Sequence, residues 1–333
     1  MSKYSVILPV RNGGAYFKEC VNSILNQAYT DFNLIILDNN SSDGSYEWIN
    51  SLDDKRIVIH PSKTDLSIQD NWARIKDVEK NEFITLIGHD DILLPDYLEV
   101  MNRLIEKHPA ASLYQTHFDY VDENGDLLKR CKPMDEVQYA HEFVAMHFLQ
   151  IMDSTGTGYM MRSKDYDSMG GIPIDYPGFI FADYELWVNL IDINYKATSV
   201  ENCFQYRINN STSKNMDAIK YQDSFIWYID FLKRKADTNP DIKKVIYRYG
   251  VDFLNFYTQA LSHRLLKQQG SPGDYKVNIF IDKVIEKAKI FELGAEFRPY
   301  NEPLIKAADK IDSFPFGRKL FQVYKSINPK KSK

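Results

Sequence analysis

The sequence predicts an α/β protein with a doubly wound, mostly parallel sheet, helices on both faces, and a helical C-terminal region. Three observations predict it. Strand-like and helix-like apolar patterns alternate through the first hundred residues. The strand-like runs are apolar throughout, as strands covered on both faces are. Beyond about residue 215 the apolar residues are rich in aromatics and recur at helical spacing. The expected division is 1–214 for the α/β domain and 215–333 for the helical region with its basic tail.

The elements follow in order. SVILPV (5–10) is a strand, and Phe17, Cys20, Val21, Ile24 and Leu25 then mark one face of a helix. FNLIIL (32–37) is the second strand, Ser45 to Leu52 a short helix, and RIVIH (56–60) a third strand. Ile68, Trp72, Ile75 and Val78 mark another helix before FITLI (83–87). Parallel neighbours need crossover connections, which this alternation supplies. Pro95 and Asp96 suit a helix start, with Tyr97, Leu98, Met101, Leu104 and Ile105 as its apolar face. SLYQTHFDYV and DLLKR flank a turn at Glu123-Asn124-Gly125, and residues 138–151 and 181–191 read as helices. STGTGYMMR (154–162) and MGGIPIDYPGF (169–179) are rich in turn residues, either substrate-shaping loops or ordinary surface connections.

Composition narrows the function. A chain of 333 residues, 44% hydrophobic, buries a large core. A net charge of -5 gives no general basic surface for nucleic acid, so no nucleic-acid partner is expected. Cys20, Cys131 and Cys203 are odd in number and lack zinc spacing, which points to a reducing cytoplasm. No signal segment or apolar run of about 18 residues is present, so the protein is expected to be soluble or to lie on a membrane. After the first strand stands PVRNGG where a dinucleotide fingerprint would be, which argues against a nicotinamide enzyme. The absence of a Gly-rich and basic phosphate loop there disfavours a nucleotidyltransferase.

Asp90 and Asp91 follow the FITLIGH run directly and sit in a loop at the carboxyl end of a strand, where ligands bind in open α/β sheets. A solvated capping turn is the alternative. SVILPVRN (5–12), VNSILNQ (21–27), LIILDNNSSDGS (34–45), FITLIGHDDILLPDYL (83–98), ADYELW (182–187) and YRINNSTS (206–213) together resemble glycosyltransferase family 2, whose catalytic domain has the GT-A fold. The resemblance implies an inverting glycosyltransferase that moves a sugar from a nucleotide-diphosphate sugar to a hydroxyl. The donor is UDP- or dTDP-linked. The acceptor is a saccharide or a lipid-linked oligosaccharide, and the setting is bacterial surface polysaccharide synthesis. A catalytically inactive nucleotide-sugar-binding assembly partner is the alternative.

Residue by residue, the resemblance implies that Asp91 binds a divalent cation, Mn2+ or Mg2+, and that Asp90 binds the ribose or the same metal. Gly88 stands where the commonest form of this motif has a further Asp. Pro9, Val10, Arg11 and Asn12 line the base pocket with Asp38 and Asn39. The Asn39 amide has the donor and acceptor to read a uracil or thymine edge, or ends the strand in an Asx turn. Asn71 matches a nucleotide-contacting Asn, but Asp70 replaces the usual basic residue before it, leaving Lys63 as a substitute or a solvated loop lysine. Asp183 matches the general base, a helix cap being its alternative role. Asn209 stands where a histidine often lies near the diphosphate, with Ser211 and Ser213 beside it.

The tail GRKLFQVYKSINPKKSK (317–333) contains no acidic residue. Leu320, Phe321, Tyr324 and Ile327 fall at helical spacing. The segment either lies on an anionic membrane at the cytoplasmic face or is a last packed helix with a solvated end carrying Lys330, Lys331 and Lys333.

Overall fold

A computed structural model describes residues 2–208, 216–268 and 275–328. Two compact units divide the chain. The first comprises Met1–Phe143, Ile151–Asp175 and Ala182–Ser211, and the second Val144–Gln150, Tyr176–Phe181 and Thr212–Lys333. Segments 144–150 and 176–181, upstream of residue 214, therefore belong to the helical unit.

The first unit is built on a ten-stranded sheet. Strands β1 (Tyr4–Val10), β2 (Phe32–Asp38), β3 (Ile57–Ile59) and β4 (Phe83–Leu86) are parallel, in the order β3-β2-β1-β4. Helices α1 (Gly14–Leu25), α2 (Ser45–Asn50) and α3 (Ile68–Ala73) fall between them in sequence. β1 and β2 are buried along almost their whole length, as their continuous apolar runs demand. Val10 pairs with Asp38, and Ile87 N–H bonds Ile7 C=O at 3.1 Å. The residues that follow β1, β2 and β4 thus leave the sheet at one end.

Beyond β4 the sheet is mixed, where the sequence reading expected it mostly parallel. β5 (Ile92–Leu93), α4 (Tyr97–Lys107), β6 (Leu113–Val121), β7 (Leu127–Arg130), β8 (Val137–Gln138) and α5 (Ala140–Phe148) come next. β9 (Tyr159–Arg162), α6 (Ser163–Ser168), α7 (Ala182–Ile193) and β10 (Lys196–Arg207) complete the unit. β9 lies antiparallel between β4 and β6, β10 runs parallel to β6, and β5 pairs antiparallel with β10. β6 and β7 form the expected hairpin, its turn closed by Gly125 N–H on Asp122 C=O. The crossover argument governs only strands joined by helices, and this half also uses hairpin and loop returns.

The second unit contains α8 (Ala218–Thr238), α9 (Pro240–Lys267), α10 (Val277–Ala288), α11 (Pro303–Ser313) and α12 (Gly317–Ile327). Asn239 separates α8 from α9, its side chain capping Asp241 and Ile242 N–H while Pro240 opens the new helix. Rings fill the core: Phe148 stacks on Phe253 at 4.0 Å and Phe181 on Tyr228 at 5.0 Å. Among the described residues no helix is long and apolar enough to cross a membrane.

Candidate active site

The acidic pair lies between β4 and β5, not in a simple strand-to-helix loop. Asp91 is buried and Asp90 half-buried. Thr157 Oγ1 donates to Asp91 Oδ2 at 2.6 Å, and Arg207 N–H donates to Asp91 Oδ1 at 3.1 Å. Burial, and then the negative charge of Asp90, raises the Asp91 carboxyl well above the usual carboxylate range. A capping turn would not bury its carboxylate in this way, so the capping alternative falls.

Arg207, at the end of β10, holds the loop. Its side chain is almost fully buried and donates to Asp90 C=O at 2.9 Å, to Glu123 C=O at 2.9 Å and to the Glu19 carboxylate at 2.8 Å. Its guanidinium lies over the Tyr16 ring at 4.6 Å. The sequence signal for this arginine is its place in YRINNSTS (206–213), which gives it no role of its own.

Gly88 explains the departure from the commonest motif. A Cβ built there would stand 3.0 Å from Asp91 Oδ2 and 3.1 Å from Asp90 Oδ1. Both carboxylates therefore pack closely on the glycine, and any side chain there would make them shift. Among the described residues no three His, Cys, Asp or Glu side chains gather as a metal site. Two carboxylates fit a hard cation whose remaining ligands are water and phosphate oxygens. A cation would also favour the ionised form of Asp91, which burial alone disfavours.

The STGTG segment links this pair to Asp183. Thr157 reaches Asp91 from one side of the loop, and a Cβ on Gly156 would stand 3.5 Å from Asp183 Oδ2. The loop is fixed by Trp187 Nε1–H on Thr155 C=O (3.1 Å), by Thr155 Oγ1–H on Thr157 C=O (2.7 Å) and by Gly158 N–H on Leu86 C=O (2.9 Å). Trp187 in turn stacks on Tyr159 at 4.3 Å. The segment is therefore not a plain surface connection: Thr155 and Thr157 are buried, and it touches both carboxylates. Asp183 sits in the first turn of α7, half-buried, with Oδ1 accepting the Tyr184 N–H at 2.9 Å. Burial pushes its carboxyl up to about 6, into the range of a general base. The contact with its own neighbouring N–H spans one peptide and leaves Oδ2 facing the loop.

At the ends of β1 and β2 the structure redistributes the expected roles. Pro9 and Val10 are buried strand residues. Asn12 adopts φ 52°, accepts from Ser42 N–H at 2.8 Å and donates its own N–H to Ser41 Oγ at 3.0 Å. Asn39 uses its amide in both directions on Leu66: Nδ2 donates to the carbonyl at 3.0 Å, and Oδ1 accepts the N–H at 2.8 Å. One donor and one acceptor of the amide thus hold the 62–66 loop, which leaves its second N–H and second lone pair for the base edge. Asp38 keeps one unpartnered atom. It is buried, Oδ2 accepts from Ser41 N–H at 3.3 Å, and Oδ1 has no hydrogen-bond partner among the described residues.

A basic residue does stand near Asn71, at Arg74. It donates to Asn71 Oδ1 at 2.8 Å, to Asp38 C=O at 3.1 Å and to His60 C=O. Asn71 is buried and donates to Leu37 C=O at 3.2 Å, so it braces the end of β2. Asp70 caps α3 with Ser67, and Lys63 is exposed. Arg11 is exposed and ion-paired with Asp65, whose carboxyl is held low by the Asn40 amide and by Arg11. Asn209, Ser211 and Ser213 lie outside the described residues.

Residues 5–170 match the family model described as glycosyl transferase family 2. The chain is 27% identical over 217 residues to the uncharacterized glycosyltransferase MJ1057 of Methanocaldococcus jannaschii, covering 64% of this chain and 72% of the relative. It is 26% identical over 246 residues to the O-antigen biosynthesis glycosyltransferase WbnJ of Escherichia coli, covering 71% and 91%. Among solved structures, S. aureus TarS 1-349 superposes with a TM-score of 0.64 at 14% identity, over 99% of this chain and 93% of TarS. TarS 1-349 in complex with UDP-GlcNAc gives 0.54 at 15% identity, over 87% and 90%. The mannosyltransferase PcManGT from Pyrobaculum calidifontis in complex with GDP-Man and Mn2+ gives 0.51 at 11% identity, over 97% and 87%. At these identities the structural likeness speaks for the GT-A fold.

Proposed function

The chain belongs to glycosyl transferase family 2, and from that premise we propose that it is an inverting, metal-dependent enzyme. It transfers a sugar from a UDP- or dTDP-linked donor to a hydroxyl of a saccharide or lipid-linked acceptor in bacterial surface polysaccharide synthesis. The working place in this reading is the cytoplasm, at the inner face of the membrane. One observation supports the reading above others: Asp91 accepts from Thr157, and Asp183 lies beside the adjacent Gly156, so one short loop touches both the carboxylate read as charge-binding and the one read as proton-accepting.

In this reading Asp183 takes the proton of the acceptor hydroxyl as that oxygen attacks the anomeric carbon, and the nucleoside diphosphate leaves from the opposite face. Asp91 and Asp90 hold a divalent cation, which when bound offsets the charge that builds on the diphosphate. Thr157 and Arg207 fix the Asp91 carboxylate, so little reorganisation is needed. Asp38 is the acceptor for a ring N–H of the base; its Oδ1 has no partner among the described residues but is buried, so a local shift must uncover it when the donor binds. This acceptor selects uracil or thymine over adenine and cytosine, and guanine also carries a ring N–H. Arg74 and Asn71 act behind Asp38 as positioning residues.

The test is a panel of UDP-, dTDP-, GDP-, ADP- and CMP-sugars with and without Mn2+ or Mg2+, scored for binding and for nucleotide release with acceptor. Cation-dependent release from a UDP- or dTDP-sugar supports the reading. Binding without turnover for any acceptor would favour the inactive assembly partner, and release confined to ADP- or CMP-sugars would overturn the role of Asp38.

A further inference from the structure

We propose that the corner and helix from Phe314 to Ile327 form a docking surface for an anionic lipid bilayer. Phe314, Phe316, Leu320, Val323, Tyr324 and Ile327 are each between 55% and 74% exposed. Monomeric soluble proteins rarely leave so many large apolar side chains exposed side by side. The outward ridge differs from the face expected from the sequence. Phe321 turns inward, packs against the Leu265, Leu266, Ile305 and Ala308 cluster and faces the His263 ring at 6.2 Å.

The inner side of α12 is firmly anchored. Gln322 Nε2 donates to Leu266 C=O at 3.2 Å and Gln268 C=O at 2.8 Å, while Arg318 binds the Asp312 carboxylate and Tyr275 C=O. The corner before the helix is tight: a Cβ on Gly317 would stand 1.8 Å from Ile311 C=O, and Phe316 takes φ 62°. A bulky residue held in the left-handed region at 74% exposure satisfies no packing need within the unit. Beside the ridge runs an apolar groove of about 520 Å³, lined by Ile311, Phe314, Leu320, Phe321, Tyr324 and Lys310.

Charge decides the occupant. Lys310, Lys319 and Lys325 flank the ridge, and residues 313–333 contain no Asp or Glu, with Lys330, Lys331 and Lys333 in the sequence that follows. An interfacial helix combines an inserted apolar side with flanking lysines that meet anionic headgroups. A second copy of the chain would set these lysines against their own kind. The inference deepens the proposed placement at the inner face of the membrane and rests on that reading.

Full-length protein is sedimented with neutral phosphatidylcholine vesicles and with vesicles containing about 30 mol% phosphatidylglycerol. We expect at least a tenfold preference for the anionic vesicles, weakening as salt rises. Leu320→Glu with Tyr324→Glu is expected to abolish it, and Lys319→Gln with Lys325→Gln to lower binding about fivefold per lysine. Equal binding to both vesicles, none at low salt, or binding unchanged in the Glu variant would overturn the proposal. So would a dimer in size-exclusion light scattering that the Glu variant converts to monomer. Nucleotide release from soluble substrates, measured alongside, is expected to be unchanged in both variants. Its absence in the parent protein would count against the transferase reading and not against the docking surface.

Discussion

Asp91 and Asp183 both touch one loop, Asp91 at Thr157 and Asp183 beside Gly156, and in the proposed function the physical difference between them suits two different tasks. Both are carboxyls raised by burial. Asp91 has a second carboxylate beside it and donors on both oxygens, so it lacks a counter-charge. Asp183 is raised by burial alone, to about 6, and directs one oxygen at the loop, so it is ready for a proton. Burial therefore produces two chemistries from one residue type, depending on whether a like charge accompanies it.

The sharpest way to break this contrast is Asp183→Asn. Transfer is expected to fall by about 10² to 10⁴ while donor affinity stays near that of the parent, because the amide keeps the shape and loses the base. In the parent, kcat is expected to fall about tenfold per pH unit below about 6, as Asp183 becomes protonated. Stability moves the other way. The folded pKa lies above the unfolded one, so the contribution of Asp183 to stability is full below pH 4 and is lost as pH rises through about 6. Thermal melts are therefore expected to show the Asn variant gaining on the parent between pH 4 and 8, by up to about 3 kcal/mol. Equal kcat, or a gain in stability on the acid side, would end the assignment.

Asp91→Ala tests the other side. It removes a ligand and the charge that offsets the cation, and transfer is expected to drop by about 10² to 10³, with donor affinity no longer responding to Mn2+. Calorimetric titration of donor with and without the cation reads this directly. A variant that kept the metal response of the parent would mean that Asp91 does not hold the cation.

Much of this was legible from the residues, and the rest was not for reasons of geometry. Strand-helix alternation gave β1 to β4, since each crossover leaves its own periodic trace. The antiparallel return of β9 left none, because YMMR is as apolar as a parallel strand and its pairing depends on where the preceding loop leads. The acidic pair and Asp183 were readable from their motifs. Thr157, Arg207 and Arg74 are not singled out, because most of their partners lie far away along the chain, 66 residues for Thr157 and Asp91, 188 for Arg207 and Glu19 and 36 for Arg74 and Asp38. A run such as STGTG states only that the backbone turns. Asn39 shows a role its pattern did not reveal: its amide, which suits a pyrimidine edge, also holds the backbone of Leu66.

A gentler probe of the Asp91 side is Thr157→Val, which keeps the volume and removes the hydroxyl that donates at 2.6 Å. Partners that orient a metal ligand are worth about 10- to 100-fold in metal affinity. The expected outcome is a loss in that range in a Mn2+ titration, with kcat at saturating cation little changed. If kcat fell as far as in Asp183→Asn while Mn2+ affinity held, the loop would serve the base more than the metal.

The smallest effect is expected at Arg11, which the family resemblance placed in the base pocket. Its guanidinium is exposed and paired with an exposed carboxylate, Asp65, in a setting where ion pairs contribute between about 0 and 1 kcal/mol. Arg74 already supplies the cation next to Asp38, through the Asp38 carbonyl and Asn71. Arg11→Ala is therefore expected to change donor affinity by less than about threefold and stability by less than about 0.5 kcal/mol. Donor titrations at low and high salt would show a difference only at low salt, because an exposed charge is screened within about 10 Å at 0.1 M. A loss of tenfold or more that persists at high salt would mean that Arg11 leaves Asp65 to meet the nucleotide directly, and would restore it to the pocket.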